Sequence, residues 1–255
     1  MNRTSFNRWL PVLLCATALV VWEVGVRTGG ISSLFFPAPS VITQTTVRLL
    51  ASGQLLENLG VSLLRLFLGF SLGSICGVVL GLLLGQSRRL RAAIDPLIAA
   101  AHPIPKLAIL PLIMILFGIG EISKVVIIAV AAFFPMVINT MAGVQQIHPI
   151  HFEVAKNYGA SNRKTFTRVV IPGCLPFILT GVRLALNLAI TITIAVELVA
   201  AEKGLGAMIW MAWQTLRTEE LYSSIAVTAC LGISFSLLLG WITARLIPWQ
   251  ENGHV

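Results

Sequence analysis

The chain has 255 residues, of which 56% are apolar and only 11% are charged. An ordinary soluble domain carries about 25% charged residues, so this chain has too few polar groups to cover a surface in water. Because a membrane-spanning helix needs about 20 apolar residues, the length predicts about five or six spans in a bilayer. The net charge is +8, but the basic residues lie between apolar runs, which argues against nucleic acid binding.

The first apolar run covers residues about 9–27 and follows two arginines. A cleaved signal peptide has a similar pattern, but no small-x-small cleavage site follows the run, so we predict an uncleaved first span. Prolines within 36–40 then forbid helix. Ser40 is expected to cap a short interfacial helix over about 41–52.

A second span is predicted over about 58–85, where glycine recurs at every fourth position. Residues spaced by four lie near one face of a helix, and small residues there let another helix backbone approach closely. We therefore expect this span to pack tightly against a neighbouring helix. The glycines concerned are Gly69, Gly73, Gly77, Gly81 and Gly85.

The third apolar run, about 93–118, is interrupted by prolines, which exclude a long straight helix. We expect a short helix lying low in the membrane, a break near 102–105, and a span that continues to Phe117. Broken helices at membrane depth occur only where protein or a water-lined cavity covers the freed backbone. A fourth span is predicted over about 122–146.

A polar segment at 147–172 separates the fourth span from a fifth at about 174–200, and a semi-polar stretch precedes a last span at about 221–247. The whole chain, 1–255, is predicted to be a single all-α domain, a polytopic membrane bundle of about six helices. With the N-terminus in the cytoplasm, most Lys and Arg residues fall on the cytoplasmic side, as the positive-inside rule requires. The polar segment then lies in the cytoplasm as well.

Within the polar segment, the sequence predicts two short helices with a bend at 159–161, because Gly159 can end one helix and Ser161 can cap the next. Phe152, Ala155 and either Tyr158 or Gly159 share a face of the first helix. The small alanine permits close approach and the aromatic rings offer rigid knobs, a pattern that fits a groove on a partner protein.

The charged residues of the same segment allow two interpretations. Glu153 is expected near the start of the first helix, where the helix dipole favours a negative charge. The basic residues Arg163, Lys164 and Arg168 would lie near headgroups or near acidic residues of the partner. The alternative is an ordinary solvated loop whose basic side chains face phospholipid.

The pattern Glu153-x-Ala155, then Gly159, then Ile171-Pro172 resembles the "EAA" loop of ATP-binding-cassette (ABC) importer permeases. That loop is the docking lever for a separate ATPase. The resemblance therefore gives the polar segment a specific partner and supports the docking interpretation over the solvated loop.

The resemblance extends over nearly the whole chain. Within these permeases, the chain is similar in pattern to the nitrate/sulfonate/taurine subfamily. The loop departs from the family pattern at Val154, where a second alanine is usual, and at Val169, where isoleucine is common. The other segments that carry the resemblance are 36–40, Ser62-x-x-Arg65-x-x-x-Gly69, 105–112, 117–124, 181–185 and 204–206.

What the resemblance implies is an all-helical importer permease in the bacterial inner membrane, with a helical core behind the first span. Two permease subunits, expected to be identical copies, would bind a cytoplasmic ABC ATPase dimer. A periplasmic or lipid-anchored solute-binding protein would deliver the solute, and membrane lipid would surround the bundle. The loop residues that would couple to the ATPase are Phe152, Glu153, Ala155, Tyr158, Gly159, Ala160 and Ser161.

The chain is expected not to be an enzyme and to hold no cofactor. It has no Gly-x-x-x-x-Gly-Lys-Ser/Thr run, so ATP and Mg²⁺ are expected on the partner ATPase. The histidines His102, His148 and His151 are scattered, and no Cys-x-x-Cys pair is present, so no metal site is expected.

Arg65, Arg183 and Glu197 fall within or near predicted spans, where a central charge costs about 2.5 kcal/mol or more. Arg183 and Glu197 would share a helix face about 21 Å apart, too far to pair with each other. Arg65 is expected to snorkel outward. We hypothesise that the two arginines help an anion to cross or hold the gate, and that Glu197 is a further pathway residue. Structural pairing within the bundle is the alternative for each.

Two other functions are considered. A secondary transporter driven by an ion gradient would need coupling-ion carboxylates deep in its spans and often an internal repeat. Glu197 is the sole such carboxylate, and no repeat is visible. A membrane-embedded enzyme would need clustered catalytic groups, which the sequence lacks. The solute itself stays open among nitrate, sulfonates, taurine, bicarbonate and a vitamin precursor.

Overall fold

The structure is a computed structural model that describes residues 3–247, and every regular element in that range is helical. The all-α class predicted from the sequence is thereby confirmed. In chain order the elements are α1 (Arg3–Arg27), α2 (Pro39–Ala51), α3 (Gln54–Gln86), α4 (Arg88–Ala101), a 3₁₀ turn (Lys106–Ile109), α5 (Leu110–Phe117), α6 (Glu121–Gln145), α7 (Pro149–Asn157), α8 (Asn162–Thr165), a π-helical turn (Phe166–Val170), α9 (Ile171–Ala200), α10 (Leu205–Gln214) and α11 (Thr218–Leu246).

Helices α3 and α6 form the centre of the bundle and run in the same direction. The glycines of α3 from Gly69 to Gly85 face residues of α6 from Ile128 to Val144 in the same order. A Cβ atom added at Gly85 would lie 2.5 Å from the Val144 Cβ atom, closer than real side chains approach. The close packing that the glycine spacing predicted is therefore present, and α6 is the partner.

Burial decreases from the centre of the bundle outward. In the most apolar part of each helix, 61% of the α6 residues are buried, against 28% in α3 and none in α11. A cluster that includes Leu66, Ile127 and Leu186 joins α3, α6 and α9. The bundle therefore has α6 at its core, whereas α11 packs on the outside.

The third predicted span is broken where the sequence places the break. Helix α4 and the segment that contains α5 are bent by 93° at residues 102–105. Lys106 fills the break: its ammonium donates to the carbonyl oxygens of Ala101 and His102 at 3.2 and 2.7 Å, and it lies 4.2 Å from the centre of the Phe134 ring. The carbonyls freed at the helix end are thus satisfied by a side chain within the protein.

Within residues 3–247, four helical segments are long and apolar enough to cross a membrane, and the bent pair makes a fifth. The first predicted span, 9–27, lies within α1, and the total of six spans stays a prediction. The starts of α3 and α6 meet at one end of the bundle, where Arg65 pairs with Glu121. The ends of α3 and α6 meet the segment 147–172 at the other end.

The connection between α1 and α2 differs from the prediction. Ala38 is the N-cap of α2 and Pro39 is its first residue, so Ser40 does not cap the helix. Ser40 instead donates to the Glu23 carboxylate from its backbone N–H at 3.0 Å and from its hydroxyl at 2.8 Å. Proline explains the earlier start, because its fixed φ and missing N–H suit the first helical position.

Candidate functional site

The polar segment at 147–172 begins with α7, which ends in a tight bend. The Gly159 N–H donates to the Lys156 carbonyl at 3.0 Å, and the Ala160 N–H donates to the Ala155 carbonyl at 2.9 Å. These two bonds form a Schellman motif, which requires a left-handed residue just after the helix. Gly159 fills that position with φ of +65°, so the glycine predicted to end the first helix does so.

The second half of the segment starts as predicted but is not a separate helix. The Ser161 hydroxyl accepts a hydrogen bond from the Lys164 N–H at 3.4 Å and so caps α8. The chain continues from α8 through the π-helical turn into α9 without a break. Pro172 explains the wide turn, since proline has no N–H and clashes with the carbonyl four residues earlier. The prediction of a second short helix is therefore wrong, because these residues are the first turns of a membrane helix.

The residues on the face of α7 that was predicted to dock have different surroundings in the fold. Phe152 packs against a buried cluster that includes Val170 and Cys174, so it holds α7 on the bundle and is not a free knob. Tyr158, by contrast, is 88% exposed. Glu153 lies in the middle of α7, beyond its first turn, so the expected stabilisation by the helix dipole does not apply.

A cavity of about 630 Å³ lies between α7, the bend and the beginning of α9. Lys164 and Arg168 line it, and neither has an ion-pair partner within residues 3–247. No carboxylate is among its lining residues. The predicted coupling residues that line it are Ala155, Tyr158, Gly159 and Ala160. We use the term coupling end for α7, residues 158–161 and the helical turns from Asn162 to Pro172 that lead into α9.

At the opposite end of the bundle, Arg65 is almost fully buried and donates to two carboxylates. Its Nη2 atom lies 2.8 Å from Glu121 Oε1, and its Nη1 atom lies 2.8 Å from Glu197 Oε1. Arg65 is 3% exposed and Glu197 is 0% exposed. The expectation that Arg65 snorkels outward is therefore wrong, because the bundle satisfies the guanidinium internally.

Residues 201–206, which follow α9, fold back over Glu197. The Gly206 N–H donates to the carboxylate at 3.0 Å, and the Ser62 hydroxyl donates to the same oxygen at 2.7 Å. The Leu205 N–H in turn donates to the Ser62 hydroxyl at 2.8 Å. A Cβ atom at Gly206 would lie 2.6 Å from the Glu197 Cβ atom, so this close cover depends on glycine. We term this region the ion-pair end; it comprises Asn58, Ser62, Arg65, Glu121, Glu197 and residues 201–206.

Arg183 and Glu197, which were expected to share a helix face, have different surroundings. Glu197 is buried because residues 201–206 cover that part of α9. Arg183 is exposed and makes no ion pair with any residue of the described range. The structure thus brings Arg65 and Glu197 together and leaves Arg183 apart from both.

Sequence reasoning missed the other polar residues of the ion-pair end. Asn58, Ser62 and Arg65 recur at helical spacing on α3, and such a stripe on an apolar helix indicates a polar partner inside the bundle. That signal could have been found. No sequence signal links Glu121 to Arg65, because the two residues are 56 positions apart and meet only through packing of α3 on α6.

Comparison with known proteins gives a consistent result. Residues 73–252 match the family described as binding-protein-dependent transport system inner membrane component. The chain is 33% identical over 251 residues to the putative aliphatic sulfonates transport permease protein SsuC of Bacillus subtilis, covering 98% of this chain and 91% of the relative. It is 35% identical over 246 residues to the taurine transport system permease protein TauC of Escherichia coli, covering 94% and 90%.

A cyanobacterial relative and a solved structure extend this result. The nitrate import permease protein NrtB of Synechocystis is 28% identical over 251 residues, covering 95% of this chain and 90% of the relative. A chain from inward-facing conformations of the MetNI methionine ABC transporter superposes with a TM-score of 0.65 at 17% identity. That match covers 73% of this chain and 93% of the other, and it supports the fold alone.

Proposed function

This chain belongs to the binding-protein-dependent transport system inner membrane component family, and we propose that it carries a small anion across the bacterial inner membrane. As an ABC importer permease, it is a multi-pass inner-membrane protein that works with an ATPase and a solute-binding protein. We propose further that its N-terminus is cytoplasmic, that two identical copies form the permease, and that the binding protein is periplasmic or lipid-anchored.

The coupling end is the observation that carries the proposal. Phe152 fixes α7 to the bundle, and the bend at 158–161 joins α7 to a helix that continues without a break to Ala200. A force applied to α7 is therefore transmitted to one continuous membrane helix. We propose that a cytoplasmic ABC ATPase dimer docks here. Besides Phe152, the coupling residues are Glu153, Ala155, Tyr158, Gly159, Ala160 and Ser161.

In this proposal the chain supplies no catalytic group for ATP hydrolysis. ATP and Mg²⁺ bind the ATPase, and the permease contributes motion of α7 and α9. The positive-inside rule supports the orientation, since the basic residues of 147–172 then lie in the cytoplasm. The anionic class of solute rests on the relatives, whose names specify aliphatic sulfonates, taurine and nitrate.

We assign different roles to Arg65, Arg183 and Glu197, the three charged residues that the sequence made candidates for the pathway. Arg183 is exposed and unpaired within residues 3–247, so it is the one proposed to meet the anion. Arg65 and Glu197 are buried against each other beneath residues 201–206. We propose that this pair holds the gate on the external side and does not touch the solute.

Reconstitution tests the proposal. The permease, with its cognate ATPase and binding protein, is placed in proteoliposomes, and uptake of labelled taurine, an alkanesulfonate and nitrate is measured with and without ATP. We expect ATP-dependent uptake of at least one of these three solutes, each of which carries a sulfonate or nitrate group. Uptake that persists without the ATPase would instead support the ion-gradient transporter, and no anion uptake at all would refute the proposed solute class.

Docking is tested separately by cross-linking. A Tyr158→Cys variant carries a thiol on a coupling residue that is 88% exposed, and a short bifunctional reagent should join it to the ATPase. The control is Leu216→Cys, also exposed but located just after α10, beyond residues 201–206. Cross-linking from Leu216→Cys and not from Tyr158→Cys would contradict the docking site and the orientation together.

A further inference from the structure

Helix α9 exposes polar side chains along the middle of a membrane-spanning helix. Thr180, Arg183, Asn187 and Thr191 are all exposed. At 3.6 residues per turn, their directions fall within about 80° of one another around the helix axis. These four residues are termed the polar stripe.

The exposed face of α3, another membrane-spanning helix of the bundle, can be compared with the polar stripe of α9. Between residues 58 and 85 its large exposed side chains are apolar, as expected where a helix meets lipid tails; they are Leu64, Phe67, Leu68, Leu72, Ile75, Val79 and Leu83. A charged side chain facing hydrocarbon is strongly disfavoured, and membrane proteins turn such groups toward a protein interior or a water-filled cavity. The polar stripe therefore faces protein or water in the assembled transporter.

Within the polar stripe, the two threonine side chains have hydrogen-bond partners in the described range, whereas those of Arg183 and Asn187 do not. The Thr180 and Thr191 hydroxyls donate to the carbonyls of Pro176 and Asn187 at 3.0 and 2.9 Å, so the helix itself satisfies them. The guanidinium of Arg183 and the side-chain amide of Asn187 make no hydrogen bond to any residue of the described range 3–247.

Arg183 and Asn187 are one turn apart, about 6 Å along the axis. The guanidinium is a donor only, and the amide NH₂ adds two further donors. A sulfonate or nitrate group offers acceptor oxygens and a negative charge, which match this donor set. The missing partner of the polar stripe therefore has the chemistry of a small oxyanion.

We propose that the polar stripes of two identical copies face each other and form an oxyanion-binding site in the translocation path, with Arg183 and Asn187 as its ligands. This inference rests on the proposed homodimeric importer. A twofold interface brings the same surface patch of both copies together, and residues near its axis meet their own copies. In this arrangement the two Arg183 side chains lie near the axis and repel each other unless an anion lies between them. Leu184 and Leu188, exposed beside the stripe, provide apolar contacts at its edge.

Water accessibility tests the site without relying on transport. In the full transporter with Cys15, Cys76 and Cys230 replaced by alanine, Asn187→Cys and Thr191→Cys are compared with Leu72→Cys on α3. Because only a hydrated thiolate reacts, a membrane-impermeant thiosulfonate should label the stripe cysteines at least about tenfold faster than Leu72→Cys. Equal, slow labelling of all three would overturn the proposal, since the stripe would then be dry.

Anion recognition is tested by uptake. Arg183→Gln and Asn187→Leu should each reduce anion uptake about tenfold or more, which corresponds to one lost charge-assisted contact. Val199→Ala, at an exposed position on another face of the same helix, should change it less than about twofold. Undiminished uptake by Arg183→Gln would refute the assignment. If the wild-type transporter takes up no anion, the proposed function fails, but the labelling comparison still decides whether the stripe is hydrated.

Discussion

At the ion-pair end, Arg65 is enclosed by two carboxylates, and Glu197 also accepts hydrogen bonds from Ser62 and from the backbone of Gly206. At the coupling end, the cations that line the cavity beside α7 have no carboxylate partner within residues 3–247. The same helix, α9, reaches both regions. The charges of the ion-pair end are paired within the protein, whereas the coupling end presents unpaired cations and an exposed helix.

This difference indicates that the two ends have different tasks. A buried pair is costly to open, because separation leaves charges without partners in a low-dielectric interior. An exposed helix with unused donors and apolar side chains gains stabilisation only when a partner covers it. The ion-pair end thus fixes residues 201–206 to the bundle, whereas the coupling end leaves one side of α7 uncovered within the described residues. Substitutions at both ends test this division.

The largest effect is expected from Glu197→Ala. The substitution leaves Arg65 with Glu121 as its one carboxylate partner among residues 3–247, and it removes the acceptor for Ser62 and Gly206. Breaking a buried ion pair by removing one partner costs about 3–5 kcal/mol. We expect a clear fall in the midpoint of thermal unfolding of the purified transporter in detergent, and loss of order in residues 201–206 by hydrogen exchange.

The matched control for this prediction is Glu153→Ala at the coupling end, which also removes a glutamate but from an exposed site. Surface substitutions change stability by about 0.5 kcal/mol or less. If both variants unfold at the same temperature, the ion-pair end contributes no more to stability than the coupling end does, and the proposed difference between them is wrong.

Gly206→Ala should have the second largest effect, because it introduces a single methyl group where there is no room. The new Cβ atom would lie 2.6 Å from the Glu197 Cβ atom and 3.0 Å from the Leu198 nitrogen. Overpacking of this kind costs about 1–3 kcal/mol. Thermal unfolding is again the measurement. Gly232→Ala on α11 is the control, since an added Cβ atom meets nothing within 4 Å there, and an equal loss in both variants would contradict the steric explanation.

The sequence predicted the features that depend on local patterns. The glycine spacing of α3 predicted a close helix contact, the prolines predicted the break at 102–105, and Gly159 and Ser161 predicted the bend. These features follow from residues near one another in the chain. The identity of α6 as the glycine partner does not, because it depends on how helices distant in sequence pack.

The same distinction explains the errors. Arg65 was expected to snorkel because its carboxylate partners are 56 and 132 residues away in sequence. Phe152 was expected to be a free knob because its partners come from other helices. The second short helix was expected because the sequence shows a cap at Ser161 but not the π-helical turn that keeps the helix continuous past Pro172. The coupling roles of 152–161 and the pathway role of Arg183 stay predictions.

Gly159→Val tests the coupling end and should have a smaller effect on stability than the changes above. An added Cβ atom meets nothing within 4 Å, but the backbone is left-handed with φ of +65°. A non-glycine residue in that conformation costs about 1–2 kcal/mol, which the exposed bend can relieve by changing shape. We expect ATP hydrolysis to continue while anion uptake falls, so that uptake per ATP hydrolysed decreases.

Gly159→Asn is the control for this prediction, because asparagine tolerates the left-handed conformation better than a β-branched residue does. It should retain more of the wild-type uptake per ATP than Gly159→Val. Normal coupling in the valine variant would show that the shape of the bend is not required for transmission between α7 and α9.

The smallest effect is expected at the rim of the ion-pair end, where Lys203 and Glu57 form an exposed ion pair at 2.6 Å. The Glu57 carboxylate raises the pKa of Lys203 above its ordinary value of 10.5. A raised lysine pKa means that, while Glu57 is ionised, the pair stabilises the fold fully up to pH 10.5, and that this contribution is lost as the pH rises through the raised value. Lys203→Met should therefore lower the unfolding temperature only slightly near neutral pH.

Because salt screens exposed charges, the difference between Lys203→Met and the wild type should shrink further in high salt. A large, salt-insensitive loss would mean that the rim is as tightly enclosed as Arg65, and that the rigid region extends to the surface.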